Sequence, residues 1–324
     1  MPAQISVTNL PFNALQDSCT WNLHPFLDSI VPDTLEQSIH KVGILHPPVL
    51  VQSGETYDVV CGRKRIQCAQ NSGQSHFLCG ILPQDSSKKT ILTFLLEDQV
   101  SHAPLSLPEM ACFLKLCLDH MDREEALEML PGEILPRLNT GHVLSLLEFD
   151  DDIQRQIHYG HVTDKIIFDL LKLNQADRRR MVFLVGLLQL GGNKQKRLFA
   201  LCRDISLREN ISISSLLDQP DIRAILEHNE MNVPQKTNRL LSQLQKRCYP
   251  QSTAARENFQ AQVLELNLPD TCDISPSPFF EKDEVTLSLR FSDFEACKKL
   301  WPAIKSLLRQ EHEGKTNRKF SSDS

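Results

Sequence analysis

Gly62-Arg63-Lys64-Arg65 sets three cations directly behind a glycine. Where a strand turns into a helix, the first backbone N–H groups and the helix dipole already favour an anion, so this spacing points to a phosphate. Gly62, Arg63, Lys64 and Arg65 are therefore candidate phosphate-binding residues, with a solvated basic turn as the bland alternative. A second concentration of charge runs from Arg178 to Arg208, where eight Lys or Arg face one acid, Asp204, for a local charge of +7 in a chain of net −6. Within it Arg178, Arg179, Arg180, Lys194, Lys196 and Arg197 could contact nucleic-acid phosphates without regard to sequence, although such runs are often only solvated helix faces.

Base-specific chemistry is offered by one further segment. Arg123–Leu130 reads as a supporting helix, Pro131-Gly132 as a turn, and Pro136–Leu147 as a recognition helix. Arg137, Asn139, Thr140 and His142 at its N-terminal end could reach base edges, since Arg suits guanine and Asn suits adenine. Leu138, Val143, Leu144 and Leu147 are expected to face the core. Glu124, Glu125, Glu128 and Glu133 oppose DNA phosphates, and Gly141 weakens the helix by ~1 kcal/mol relative to Ala. A plain helical hairpin competes with this reading.

Other chemistry is poorly supported. Ten cysteines sit singly, mostly inside apolar runs and with no CxxC pair, which predicts buried packing thiols in a reducing compartment. Histidines are scattered, and His158/His161 is a chance pair across Gly160, so no metal site is expected. Neither a signal peptide nor an ~18-residue apolar span is visible, so a cytoplasmic protein without membrane contact is expected.

The elements that must position these residues follow from periodicity. Asp33–Val42 reads as a helix stopped by Gly43, Pro47–Val51 and Thr56–Cys61 as a hairpin around Ser53-Gly54-Glu55, and Phe77–Leu82 as a further strand. From Leu107 to about Leu217 apolar residues recur at helical spacing in successive blocks, with no strand pattern. Beyond lie helices near Thr237–Arg247 and Ala254–Leu266, a proline-marked segment, an alternating strand Glu284–Phe291 and a last helix, Ser292–Leu308. The fold class is α+β, divided into an N-terminal domain (1–102), an all-helical central domain (103–217), a small α+β C-terminal domain (218–310) and a disordered tail (311–324).

Two ordered strings carry a family resemblance. Ser38-Ile39…Gly43-Ile44-Leu45-His46-Pro47-Pro48-Val49-Leu50-Val51, then Cys61-Gly62-Arg63-Lys64-Arg65…Cys68-Ala69, resembles the N-terminal domain of ParB-like chromosome and plasmid partition proteins. Leu144–Gln154 with Ile157–Thr163 continues the likeness into the helical region, over about residues 30–212. The resemblance implies a ParB/sulfiredoxin-like N-terminal domain followed by a helix-turn-helix DNA-binding domain. It also implies CTP with Mg2+ held by the glycine motif and a later E-N-x-x-R helix, which stands here as Glu97-Asp98-Gln99-Val100-Ser101. Glu97 and Asp98 thereby join the nucleotide-binding candidates, while Arg63 replaces the family's acid and Ser101 its arginine. Sulfiredoxin's reactive cysteine has Arg63 in its place, and Cys61, at an apolar strand end, reads as core.

The implied function is a DNA-binding partition-type factor, dimeric, nucleoid-associated and partnered with a ParA-like ATPase. The alternatives are a CTP-binding switch with secondary DNA binding, and a protein-interaction module that kept the fold and lost both ligands. CTP hydrolysis is raised by the resemblance alone, and the altered motifs favour a non-enzymatic protein.

Overall fold

The computed structural model describes residues 5–17, 20–27, 31–130, 140–266, 272–277, 284–299 and 301–302 of the 324-residue chain. It forms two compact units, Met1–Leu241 and Ser242–Ser324.

The first unit begins with a four-stranded sheet of order β1-β4-β2-β3, where β1 is Ser6–Pro11, β2 Val49–Ser53, β3 Thr56–Cys61 and β4 His76–Leu82. β1 and β3 run antiparallel to their neighbours β4 and β2, while β2 and β4 pair in parallel, with Leu50 opposite Ile81. The parallel pair needs a crossover, and β3 plus the helix α2 (Arg63–Asn71) supplies it. Leu50, Val59, Ile66, Phe77 and Cys79 form the buried cluster over which α2 packs, with Phe12 stacked on Phe77 at 4.9 Å. The helix α1 (Asp33–Val42) ends where expected: Gly43 has φ +76° and its N–H bonds to the Ile39 carbonyl at 2.9 Å. Strand β1 is not predicted by the sequence pattern. Its residues are largely exposed on one edge, so it carries little apolar alternation.

Among the described residues helices follow without a strand between them, as the periodicity predicts: α3 (Lys88–Val100), α4 (Leu107–Leu118), α5 (Arg123–Glu128), α6 (Thr140–Leu144), α7 (Asp151–His158), α8 (Asp164–Leu170), α9 (Gln175–Leu187), α10 (Gly192–Glu209), α11 (Ile213–Leu217), α12 (Pro220–Leu226) and α13 (Val233–Cys248). Short polar side chains start several of them: Ser87, Asp122, Asn174 and Ser212 each accept a backbone N–H of the first turn.

Three buried polar side chains pin the helices together. Glu109, on α4, accepts from Ser106 N and Oγ (both 2.7 Å), from Gln99 Nε2 (3.0 Å) and from His24, with His158 Nδ1 at 3.6 Å. Asp177 accepts from Ser214 N and Oγ, both at 2.7 Å, joining α9 to α11. Gln195, 1% exposed, accepts from Thr163 N and Oγ1 and donates to the carbonyls of His161 and Leu190. Its amide is thus fully used, which offsets the cost of burying it.

In the second unit, α14 (Pro250–Glu265) precedes an antiparallel pair, β5 (Cys272–Pro276) and β6 (Val285–Leu289). β6 falls within the alternating segment, whereas β5 lies in what read only as a proline-marked stretch. Residues 294–299 are helical, in agreement with the expected last helix, and the expected tail lies outside the described residues. From Pro250 onward no described residue is buried, and Leu264, Val285, Leu287, Phe294 and Trp301 are exposed.

Candidate functional site

Gly62 cannot be another residue without a shift of backbone. It holds φ +85° in the turn from β3 into α2, and an added Cβ would lie 2.9 Å from Pro48 Cβ and 3.0 Å from Pro48 Cα. The turn brings Arg63, Lys64 and Arg65, all half-buried, to the end of the sheet, under the loop before β2 and beside α3.

Arg65 is engaged there. Its Nη1 donates to the His46 carbonyl at 2.8 Å, and its Nη2 lies 3.1 and 3.2 Å from the two carboxylate oxygens of Asp98 on α3. The structure therefore brings Gly62, Arg63, Lys64, Arg65 and Asp98 together, with Asp98 committed to a cation of the chain itself. Ser101, at the position of the family's arginine, donates Oγ to the Asp98 carbonyl at 2.8 Å, and His102 Nδ1 contacts the same oxygen at 2.6 Å. Glu97 is exposed on the neighbouring position of α3. Burial, reinforced by the Asp98 charge, pushes the Cys61 thiol up to about 11. The thiol is neutral at pH 7, as expected of a packing cysteine and not of a nucleophile.

The segment expected to form a helix-turn-helix is described only in part. Arg137 and Asn139, with the turn Pro131-Gly132, Glu133 and Leu138, lie outside the described residues. Thr140 opens α6, and its hydroxyl accepts from Arg123 Nη2 at 2.6 Å, joining the supporting helix to the start of the next. His142 is exposed, with its ring 5.7 Å from that of Phe168. The expected continuous helix ends at Leu144 and passes into a 3-10 turn, Ser145–Glu148. Ser145 Oγ bonds the Gly141 carbonyl at 2.9 Å, and the tighter turn buries Leu146 where Leu147 was expected to face inward. Val143 is buried as expected.

The arginine triplet diverges. Successive helical residues point about 100° apart, so three in a row cannot share one face. Arg178 donates to the Leu170 and Leu173 carbonyls and lies over the Phe149 ring at 4.5 Å. Arg179 pairs with Asp150 at 2.7 Å, holding that carboxyl below its ordinary range, and Arg180 pairs with Asp218 at 2.9 Å. Lys194, Lys196 and Arg197 are exposed on α10. A groove of about 590 Å³ between α7 and α9, lined by Arg155, Tyr159, Arg179, Phe183 and Leu187, has no signature along the chain because its residues come from separate helices.

Among the described residues no group of three or more His, Cys, Asp or Glu could hold a metal ion, and no helix is long and apolar enough to cross a membrane. Nine cysteines are described, all free, and seven of them are buried.

A sheet domain with a glycine-initiated basic turn, leading into a long helical block, makes a mixed α+β protein, part of which is similar in sequence to a ParB protein. Over 138 residues the chain is 26% identical to the probable chromosome-partitioning protein ParB of Coxiella burnetii (strain RSA 493 / Nine Mile phase I). That stretch is 42% of this chain and 46% of the relative, so the chain spans about half the length of the curated protein it matches. No family model matches. Similar solved structures include the C-terminally truncated ParB of Caulobacter crescentus with CTP-γ-S, at 17% identity and TM-score 0.23 over 56% of this chain and 98% of that one. The same protein on its centromeric parS site gives 19% identity and TM-score 0.27 over 60% and 97%. A Pnob8-like ParB-N domain gives 12% identity and TM-score 0.33 over 75% and 99%.

Proposed function

We propose that this chain is a DNA-binding factor of the partition type. The observation that carries the reading is the 138-residue match to a ParB protein. The ordered motifs agree with it: the basic turn at Gly62 precedes the helical block in which Arg123 braces Thr140. In this reading Arg137, Asn139, Thr140 and His142 contact base edges, while exposed Lys194, Lys196 and Arg197 add phosphate contacts. The arginines 178 to 180 contribute only to the extent that DNA displaces their present partners. Self-association falls to the second unit, because a two-stranded sheet with exposed Val285 and Leu287 is marginal alone and gains from an apolar partner face. Nucleoid association and a ParA-like ATPase partner belong to the same reading.

CTP with Mg2+ would bind where Gly62, Arg63 and Lys64 meet Glu97 and Asp98. One observation favours a second reading, in which the nucleotide has been lost and the fold serves protein interaction. Asp98 is held by Arg65 and Ser101 offers no cation, so a metal–nucleotide would have to break an existing ion pair without the arginine that normally grips phosphate.

The test is titration of the full chain with a random-sequence duplex at low and moderate salt, with and without CTP and Mg2+. DNA binding that weakens steeply with salt is expected, because released counterions drive it. A CTP-dependent change would assign a nucleotide clamp, and indifference to CTP a plain DNA-binding protein. No binding to random duplex, nor to genomic fragments carrying a specific site, would overturn the DNA reading in favour of the interaction module.

A further inference from the structure

We propose that the groove between α7 and α9 is the docking site for an acidic amphipathic helix of another protein. Its walls are two helical stripes. The lining of α7 recurs at i, i+3, i+4 and i+7 from Asp152 to Tyr159, and that of α9 at i, i+3, i+4, i+7 and i+8 from Arg179 to Leu187. Each wall is therefore ~10 Å long, the length of two helical turns.

Apolar exposure gathers in this concavity. Tyr159, Phe183 and Leu187 are 54%, 57% and 45% exposed. One such residue on a surface needs no explanation, but three lining the same groove mark an interaction site. Gly186 lies among them, inside α9 and without a positive φ, and an added Cβ would meet nothing within 4 Å. Neither its backbone nor a neighbour requires glycine, and almost any other residue would favour the helix more. A side chain whose absence the fold does not need leaves the floor of the groove open.

Charge decides the occupant. Arg155 pairs with Asp152 and Arg179 with Asp150, while Arg180, whose guanidinium lies 5.7 Å from the Phe183 ring, shares Asp218 with Arg223. Four arginines around three carboxylates leave one positive charge in excess along the rim. Asp152 is 86% exposed, so its hold on Arg155 is weak and a partner's carboxylate replaces it at little cost. A second copy in a two-fold contact would set the same positive rim against itself, and a nucleic acid has no aliphatic side chains for the apolar floor. Both walls are helices and offer no sheet edge, so the occupant must satisfy its own backbone hydrogen bonds, as a helix does. The matching helix carries apolar residues at i, i+3 or i+4, and i+7, with Glu or Asp on the flank that meets Arg155. This inference does not depend on the partition reading.

The test selects a displayed library of helical peptides, each about 16 residues long and randomised on one face and both flanks, on the full chain. Enriched peptides should share the apolar spacing and acidic flanks, and one of them, synthesised, is the probe for two variants. Gly186→Gln puts a good helix former on α9 and fills the groove, so its Tm should be kept or raised while peptide affinity falls at least about tenfold. Arg155→Glu should weaken the acidic peptide about tenfold and gain affinity for the same peptide with lysines in place of its acids, a rescue that a damaged fold cannot give. Both variants should match the wild type in the duplex titration. No enrichment over a bare support, enriched peptides with basic flanks, or full affinity for Gly186→Gln would overturn the site. Self-association of the wild type that Gly186→Gln abolishes in sedimentation would make the occupant a second copy, and loss of duplex binding in Gly186→Gln would make it a nucleic acid; either result overturns the proposal.

Discussion

Arg65 and Asp98, 33 residues apart, are joined by two contacts of 3.1 and 3.2 Å, and the same guanidinium reaches back to the His46 carbonyl. One side chain thus fastens the basic turn to α3 and to the loop before β2. Arg65→Ala should lower stability by about 1–2 kcal/mol, a charge-assisted interaction discounted for the partial exposure of Asp98. Arg65→Lys should recover little, because one ammonium cannot span both partners in the geometry of the fork. Urea denaturation at constant m-value measures this, and wild-type stability in Arg65→Ala would show the pair to be idle.

Glu109 should set the acid limb of the stability profile. Burial alone would raise its pKa, but donors from His158, His24 and Ser106 prevail and hold the carboxyl far below its ordinary 4.5. A depressed folded pKa contributes stability that is complete above the unfolded value and is lost as pH falls through it toward the folded one. The wild type should therefore lose Tm progressively below about pH 4.5, and Glu109→Gln should be less stable at pH 7 yet show a flatter acid limb. Parallel profiles for the two proteins between pH 3 and 7 would remove Glu109 from this role.

Gly62 and Gly54 provide a matched pair. Both have positive φ, but only Gly62 has neighbours against its missing Cβ, whereas Gly54 faces open space. Gly54→Ala should cost about 1 kcal/mol for the left-handed backbone alone. Gly62→Ala should cost about 2–4 kcal/mol, since overpacking against Pro48 is added. Equal costs in chemical denaturation would contradict the close approach.

Thiol reactivity should divide the cysteines. Burial pushes Cys61 and Cys79 up to about 11, and Cys112, Cys117 and Cys202 up to about 12. In the native protein at pH 8 these five should resist an alkylating reagent, while half-buried Cys272 and Cys297 react, and all ten should react in denaturant. Rapid native labelling of Cys61, read by peptide mass, would reopen a nucleophilic role for it.

What could be read from the sequence was local. Gly43 and Gly54 announce their turns because each occupies a conformation that other residues resist, and the helical blocks announce themselves by spacing. Strands β1 and β5 carry little sequence signal because one is an exposed edge and the other shows neither clear alternation nor burial. The helix expected to run to Leu147 ends at Leu144, and the spacing hides this because a 3-10 turn preserves nearly the same apolar period. The Gly62 turn was legible as a basic turn, but the partner that occupies Arg65 comes from another helix. Likewise the arginine triplet looks like a patch in one dimension and is dispersed by the helix in three.

Gln195 addresses mainly main-chain atoms: the carbonyls of His161 and Leu190 and the N–H of Thr163. Every residue carries a carbonyl, so substitution of exposed His161 leaves its bond available, and an apolar exchange at buried Leu190 leaves the other. A change at 195 has no such latitude, because no single replacement supplies two donors and an acceptor at that reach. The junction of α8, α9 and α10 therefore concentrates its dependence on sequence in one position and frees its surroundings to diversify.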